Sequence, residues 1–274
     1  MATHNYSIII PAYNEGERIP TSLEKVLAYV TRNFPGRAEV IVVNDGSTDG
    51  TADIVREYAR RNRAIRLIEN PENRGKGYSV RNGMLHASGD ILLFSDADLS
   101  APIGESEKLF AALEAGADIA IGSRWLDPRL QIERQPLLRE VLGRIFNLLL
   151  RIILRLRFKD TQCGFKAFTR RAADMIFCRQ KIEGWGFDPE LLFLADKGGL
   201  RVTEVAVEWA HSGRSKIHTL VDGPQMFLDI LRVRWNYIKG LYSLGGPATE
   251  TAVAPALQRR AAAASKDSSS LRPR

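Results

Sequence analysis

The sequence predicts an α/β fold, a mostly parallel sheet with helices on both faces, and two observations predict it. Short β-branched runs alternate with helix-period segments through the first half of the chain. Polar clusters recur just past the ends of those runs, where ligands of parallel sheets bind. In order, strands are expected over 7–10, 39–43, 65–68, 91–94 and 118–121, with helices over 19–30, 51–61, 78–87 and 105–115 between them. The clusters are Pro11 to Glu15, Asn44 to Gly50, Asp96-Ala97-Asp98 and Gly122-Ser123-Arg124.

Beyond Gly122 the rhythm changes. A polar, proline-containing loop leads to a helix over 136–158 whose apolar residues are punctuated by Arg139, Arg144, Arg151, Arg155 and Arg157. A further strand is expected over 201–209 and a second basic amphipathic helix over 225–242. From about residue 245 the chain turns to Ala, Ser, Pro and charge, the composition of a disordered tail. The expected organisation is one domain over 1–244, a ligand-binding part at about 6–124 and a second part at about 125–244, followed by the tail at 245–274. The sequence carries no internal repeat.

A chain of 274 residues with 45% hydrophobic residues can bury a substantial core. Its net charge of +7 favours an anionic partner, whether nucleic acid, an acidic membrane surface or a phosphorylated small molecule. Two cysteines, Cys163 and Cys178, argue against a disulfide scaffold and fit a reducing compartment. The first residues lack the basic and apolar regions of a signal peptide, and no run approaches the ~18 to 20 apolar residues of a spanning helix. The amino terminus is therefore expected in the cytosol, and any work at a membrane is expected on its surface.

Asp96 and Asp98 pose a question, because two carboxylates one residue apart repel each other. Asp-x-Asp alone suits either a solvated turn or a pair of hard oxygen ligands for Mg²⁺ or Mn²⁺, ions that keep waters and share substrate phosphates. Asp45 is read in the same two ways, as a partner for a ribose or base edge or as part of a helix cap that Ser47 or Asp49 also serves. Tyr13 and Glu15 follow a strand-breaking Pro11 with an aromatic face and an acid, which also fits an ordinary turn. Lys76 lies between Gly75 and Gly77, as a loop cation or as one that reaches a nucleotide. The four histidines make no metal spacing with cysteine, and Cys163 reads as a small packing residue.

Taken together and in order, SIIIPAYNE, EVIVVNDGSTDGT, NRGKGYSVRNG, ILLFSDADLS and GSR resemble the family 2 glycosyltransferases of the inverting, nucleotide-diphospho-sugar type, over roughly residues 6–242. Downstream, DTQCGFKAFTRRAA, GWGFDPELLFLA and EVAVEWAHSGRSKI are similar to the dolichyl-phosphate β-glucosyltransferases. The resemblance implies a Rossmann-like GT-A fold and transfer of glucose from UDP-glucose to a polyprenyl phosphate with Mg²⁺ or Mn²⁺. It implies that Pro11, Tyr13, Glu15, Asp45 and Lys76 contact the nucleotide, with Asp96 at the ribose or diphosphate. Asp96 and Asp98 would hold the metal, and Arg124, Arg139, Arg214 and Lys216 would meet the acceptor phosphate. Asp188 would be the base if the acceptor were a hydroxyl, and otherwise a positioning or structural carboxylate. The eukaryotic relatives commonly carry an amino-terminal membrane anchor and none is expected here, so undecaprenyl phosphate stands beside dolichyl phosphate as the expected acceptor.

The basic amphipathic helices would then lie on the cytoplasmic face of a membrane, their alternative being core packing with a solvated basic face. GDP-mannose is the competing donor, and a non-catalytic nucleotide-sugar-binding module is the competing class. A dinucleotide-binding dehydrogenase lacks its Gly-x-Gly-x-x-Gly turn, and no Walker loop is present. A processive synthase would place glutamine where Leu231 precedes Arg234-Trp235. Nucleic acid, suggested by charge alone, is not an expected partner.

Overall fold

The computed structural model describes residues 4–133, 137–210 and 219–243; the tail at 245–274, Arg214 and Lys216 lie outside the described residues. Within them the strands are β1 (Tyr6–Ala12), β2 (Ala38–Asn44), β3 (Ile65–Glu69), β4 (Ile91–Ser95), β5 (Ile119–Ser123), β6 (Gln131–Glu133), β7 (Phe165–Thr169), β8 (Val202–Ala206) and β9 (Trp209–Ala210). The helices are α1 (Ile19–Asn33), α2 (Thr51–Arg61), α3 (Lys76–His86), α4 (Ser106–Glu114), α5 (Leu137–Leu154), α6 (Arg170–Phe177), α7 (Phe187–Lys197) and α8 (Thr219–Ile238).

Seven strands form one sheet in the order β3-β2-β1-β4-β7-β5-β8, all parallel except β7, which runs antiparallel to both neighbours. Apolar residues alternate between its two faces. Ile9, Leu92 and Phe94 join the core beneath α3, α6 and α7, while Ile8, Ile10 and Leu93 join the core beneath α1 and α4. Burial on both faces is what gives these strands continuous apolar runs rather than alternating ones. The chain winds outward from β1 to β3 and then returns to place β4 on the other side of β1. That reversal opens a crevice at the carboxyl ends of β1 and β4, the switch point at which open α/β sheets bind ligands.

Several elements differ from the sequence expectation. The helix expected over 136–158 ends at Leu154 because Arg155 turns left-handed, with φ of 57°. The helix expected from 225 begins at Thr219, and the strand expected over 201–209 divides into β8 and β9, of which β9 pairs with β6 in a separate two-stranded sheet. β7 was not expected at all. Its five residues carry a lysine at a fully buried position, which breaks the apolar pattern a strand is read from.

Among the described residues no helix is long and apolar enough to cross a membrane. α5 and α8 pack against each other. They leave exposed a set of large apolar side chains: Ile145, Leu148 and Ile152 on α5, and Leu228, Trp235 and Ile238 on α8.

Candidate active site

The crevice is a cleft of about 620 Å³, lined by the ends of β1, β2 and β4 together with the start of α3 and the Gly184-Trp185 turn. Pro11, Tyr13, Glu15, Asp45, Lys76, Asp96 and Asp98 all line it. Residues spread over nearly ninety positions of sequence are thus brought to one place, because each follows a strand that ends on the same edge of the sheet.

The loop after β1 is fixed by the loop after β2. Asn14 adopts φ of 48°, donates its amide to the Ser47 hydroxyl at 2.9 Å and accepts from the Thr48 amide at 2.8 Å. The Glu15 amide donates to the Thr51 hydroxyl at 2.8 Å, and its carboxylate is held by the Arg18 guanidinium at 2.7 and 2.8 Å. Tyr13 projects from this braced loop, the residue 38% exposed and lining the cleft. Asp49 accepts from the Thr51 amide just ahead of α2, whose N-cap is Gly50 without a side-chain cap.

Asp45 is buried, and its oxygens accept from the Asn70 side chain at 2.7 Å and from the amides of Arg74 and Gly75 at 3.1 and 2.9 Å. It therefore orders the turn that launches α3, besides lining the cleft. Gly75 takes φ of 101°, a conformation that favours glycine, and so aims the next residue, Lys76, back across the cleft. The Lys76 ammonium lies 2.5 Å from Asp96 and 5.3 Å from the ring centroids of Phe94 and Trp185. Burial disfavours that ammonium, but Asp96 and then Asp188 more than compensate and push its pKa up.

Asp96 sits in a cradle formed by β7. Its amide donates to the Gly164 carbonyl at 3.1 Å, and a Cβ on Gly164 would stand 2.0 Å from its Oδ2. Asp98 accepts from the Ser100 amide at 3.0 Å. Burial and the nearby Asp98 push the Asp96 carboxyl upward against the pull of Lys76. Two carboxylates, Asp96 and Asp98, thus share this edge with the one ammonium of Lys76, an arrangement that suits a divalent cation.

Among the described residues no group of three or more His, Cys, Asp or Glu side chains could hold a metal. Asp96 and Asp98 fit Mg²⁺ or Mn²⁺ only in the manner these ions favour, with diphosphate oxygens and waters completing the shell.

Arg124 lies on the other side of β7, past the end of β5. Asp160 grips it through the guanidinium at 2.7 and 2.8 Å and through the backbone amide at 3.0 Å. Burial alone would raise the Asp160 carboxyl; the Arg124 guanidinium outweighs it and holds the carboxyl below the usual range. The guanidinium stands 5.6 and 5.5 Å from the ring centroids of Trp125 and Trp209, with the Arg144 guanidinium 4.6 Å from Trp125. Arg139 falls in the first turn of α5, and its side chain lies outside the described set.

Asp188 lies in the first turn of α7, buried, with Oδ1 2.5 Å from the Lys166 ammonium. As an ion-paired carboxylate it matches the positioning role better than that of a base. Cys163 is buried and its thiol is pushed up to about 12 by that burial, which fits packing rather than reactivity. Sequence reasoning did not single out Trp185, Asp160 and Lys166. The first lies in a quoted motif and lines the cleft, whereas the other two matter through contacts with residues 36 and 22 positions away.

The chain matches Glycosyl transferase family 2 over residues 7–177. A dolichyl-phosphate beta-glucosyltransferase of Trichomonas vaginalis is 39% identical over 249 residues, 87% of this chain and 73% of that protein. One of Drosophila melanogaster is 38% identical over 250 residues, 87% of this chain and 77% of its own. Two solved structures share the fold. Glucosyl-3-phosphoglycerate synthase of Mycobacterium tuberculosis in complex with UDP superposes with a TM-score of 0.63 at 21% identity, covering 84% of this chain and 80% of that one. Mannosyl-3-phosphoglycerate synthase of Rubrobacter xylanophilus gives 0.62 at 17%, covering 90% and 79%.

Proposed function

The chain belongs to glycosyl transferase family 2 and is a glycosyltransferase, and from that premise we propose that it moves glucose from UDP-glucose to a polyprenyl phosphate, dolichyl or undecaprenyl, with inversion at the anomeric carbon. The observation that carries this reading is the cleft itself. The Tyr13 and Trp185 rings, one ammonium and the Asp96 and Asp98 carboxylates converge at the β1–β4 switch point in a chain that has dolichyl-phosphate beta-glucosyltransferases among its curated relatives.

In this mechanism Tyr13 faces the uracil ring, and Lys76 turns from Asp96 to the donor diphosphate. Asp96 and Asp98 would hold a divalent cation, which would supply charge neutralisation to the departing UDP. The acceptor phosphate is an oxyanion at neutral pH, so one of its oxygens attacks the anomeric carbon directly. A carbon–oxygen bond forms on one face while the bond to UDP breaks on the other, and UDP leaves with the electron pair. No proton needs to move, and the task left to the protein is positioning and charge. Asp188, already paired with Lys166, is therefore not required as a base. Arg124, Arg139, Arg214 and Lys216 are assigned to the acceptor phosphate. Arg124 pairs with Asp160 through Nε and one N–H of Nη2, and its remaining N–H groups would meet the acceptor phosphate.

A lipid acceptor requires the enzyme to meet a bilayer. The exposed apolar side chains of α5 and α8 are accompanied by exposed Arg144, Arg155, Arg232 and Lys239, a combination suited to the headgroup region of an anionic leaflet. Peripheral attachment at the cytoplasmic face follows from this reading. Calorimetry with Mn²⁺ tests the donor half: UDP should bind more tightly than GDP, and tighter GDP binding would move the assignment to GDP-mannose. Flotation with anionic vesicles tests the membrane half; protein that stays with the soluble fraction would sink it.

A further inference from the structure

Lys166 is fully buried in the middle of the sheet, on a strand that separates β4 from β5. Its register partners are Phe94 and Ile121, both in the apolar core that covers this face. A methionine or leucine would fill such a position, and burying an ammonium costs several kcal/mol unless good partners compensate. Lys166 has two. Its Nζ donates to the Cys163 carbonyl at 2.6 Å and lies 2.5 Å from the Asp188 carboxylate.

Both partners lead to the cleft. Cys163 precedes Gly164, whose carbonyl accepts the Asp96 amide and whose bare Cα leaves room for the Asp96 carboxylate. Asp188 opens α7, which follows the Gly184-Trp185 wall, and the preceding Phe187 packs against Phe94 at 5.8 Å between ring centroids. Asp188 also acts electrostatically on Lys76 and Asp96. Two ion pairs are thus electrostatically linked, Lys76 with Asp96 at the cleft and Lys166 with Asp188 in the core. Lys166 fixes Asp188 where its charge supports the Lys76 ammonium, while Lys76 itself pairs with Asp96 at the cleft.

We propose that Lys166 is a positioning residue of the transferase, holding Asp188 and the Cys163 carbonyl so that Asp96 and Lys76 keep the geometry that receives the donor diphosphate. This rests on the functional reading above, since it presumes that the cleft binds a nucleotide-sugar. It adds a residue that never touches substrate and a reason for a charge inside the sheet.

The test replaces the pair rather than one member, because a lone buried charge would unfold the site by itself. Lys166→Met combined with Asp188→Leu substitutes apolar groups of similar volume, an exchange that often leaves stability unchanged or improved. The double variant is expected to melt near the parent. Its KM for UDP-glucose should rise by about tenfold or more, with Mn²⁺-dependent UDP binding weakened in proportion, while the KM for short-chain polyprenyl phosphate stays within about twofold. A folded double variant with unaltered UDP affinity and donor KM would overturn the proposal and leave the pair a purely structural one. If the double variant does not fold, Asp188→Asn decides. The amide still accepts from Lys166 but no longer carries the charge that supports the Lys76 ammonium, and an unchanged donor KM there overturns the proposal equally. A parent protein that binds no UDP at all would instead refute the functional reading.

Discussion

Gly164→Ala is the smallest change that reaches Asp96 without altering its chemistry. Gly164 is not among the glycines at positive φ, so alanine is conformationally permitted and the penalty is steric. The new methyl carbon would lie 2.0 Å from Asp96 Oδ2 and 2.5 Å from its Cγ, against a normal closest approach of more than 3.0 Å. The carboxylate must therefore move by about 1 Å or more. It cannot do so while keeping its 2.5 Å contact with Lys76. Displacements of this size cost about 10²-fold in rate, or about 2.7 kcal/mol of transition-state stabilisation. Overpacking adds about 1 to 3 kcal/mol of lost stability, a melting shift of a few degrees for a domain of this size. The assay is steady-state transfer at saturating Mn²⁺, with thermal melting as the control for folding. A variant that melts near the parent and keeps kcat/KM within about threefold would refute the placement of Asp96 at the reacting centre.

Asp98→Asn removes one charge and no core volume, so metal-dependent transfer should vanish while melting changes little; normal turnover with normal metal activation would take Asp98 out of the site. Glu190 accepts from the Lys181 and Ile182 amides at 3.0 and 2.9 Å and from the Tyr242 hydroxyl at 2.7 Å, so Glu190→Gln must set an amide donor against a backbone donor and should cost about 1 to 3 kcal/mol on denaturation. Burial pushes the Glu190 carboxyl up, so its contribution to stability is present at low pH and falls as pH rises through that raised value; the slope should disappear from the melting profile of Glu190→Gln. Ile152→Glu with Ile238→Glu places two acids on the exposed α5–α8 face, where the two isoleucines are 64% and 70% accessible; vesicle binding should drop with melting unchanged, and unaltered flotation would assign the face to another partner.

The first half of the fold was legible because its strands are buried on both faces and so appear as unbroken β-branched runs. Asp45, Asp96 and Asp98 were legible for a related reason: each polar cluster follows such a run, and a parallel sheet brings those ends together, whereas Lys76 stands seven residues past β3 and was legible only through its glycine-flanked motif. What stayed hidden had no local signature. β7 contains Lys166 where the pattern demands an apolar residue, and the pairing that justifies this lysine lies on a helix 22 residues downstream. Asp160 could be quoted in a motif, yet its bidentate hold on Arg124 spans 36 positions and changes which Arg124 nitrogens can meet an acceptor. Helix ends at Leu154 and Ile238 depended on left-handed residues, Arg155 and Gly240, at places where the amphipathic pattern simply continued.

The central claim concerns one bond, from a polyprenyl phosphate oxygen to the anomeric carbon of glucose. It is tested most directly by incubating the protein with UDP-[¹⁴C]glucose, short-chain polyprenyl phosphate and Mn²⁺, extracting the lipid, and reading both the label and the anomer. The account predicts chelator-sensitive label in the lipid phase as the β-glucosyl phosphate, with GDP-mannose a far poorer donor. Label that never enters the lipid phase, or that enters it from GDP-mannose in preference, would contradict it.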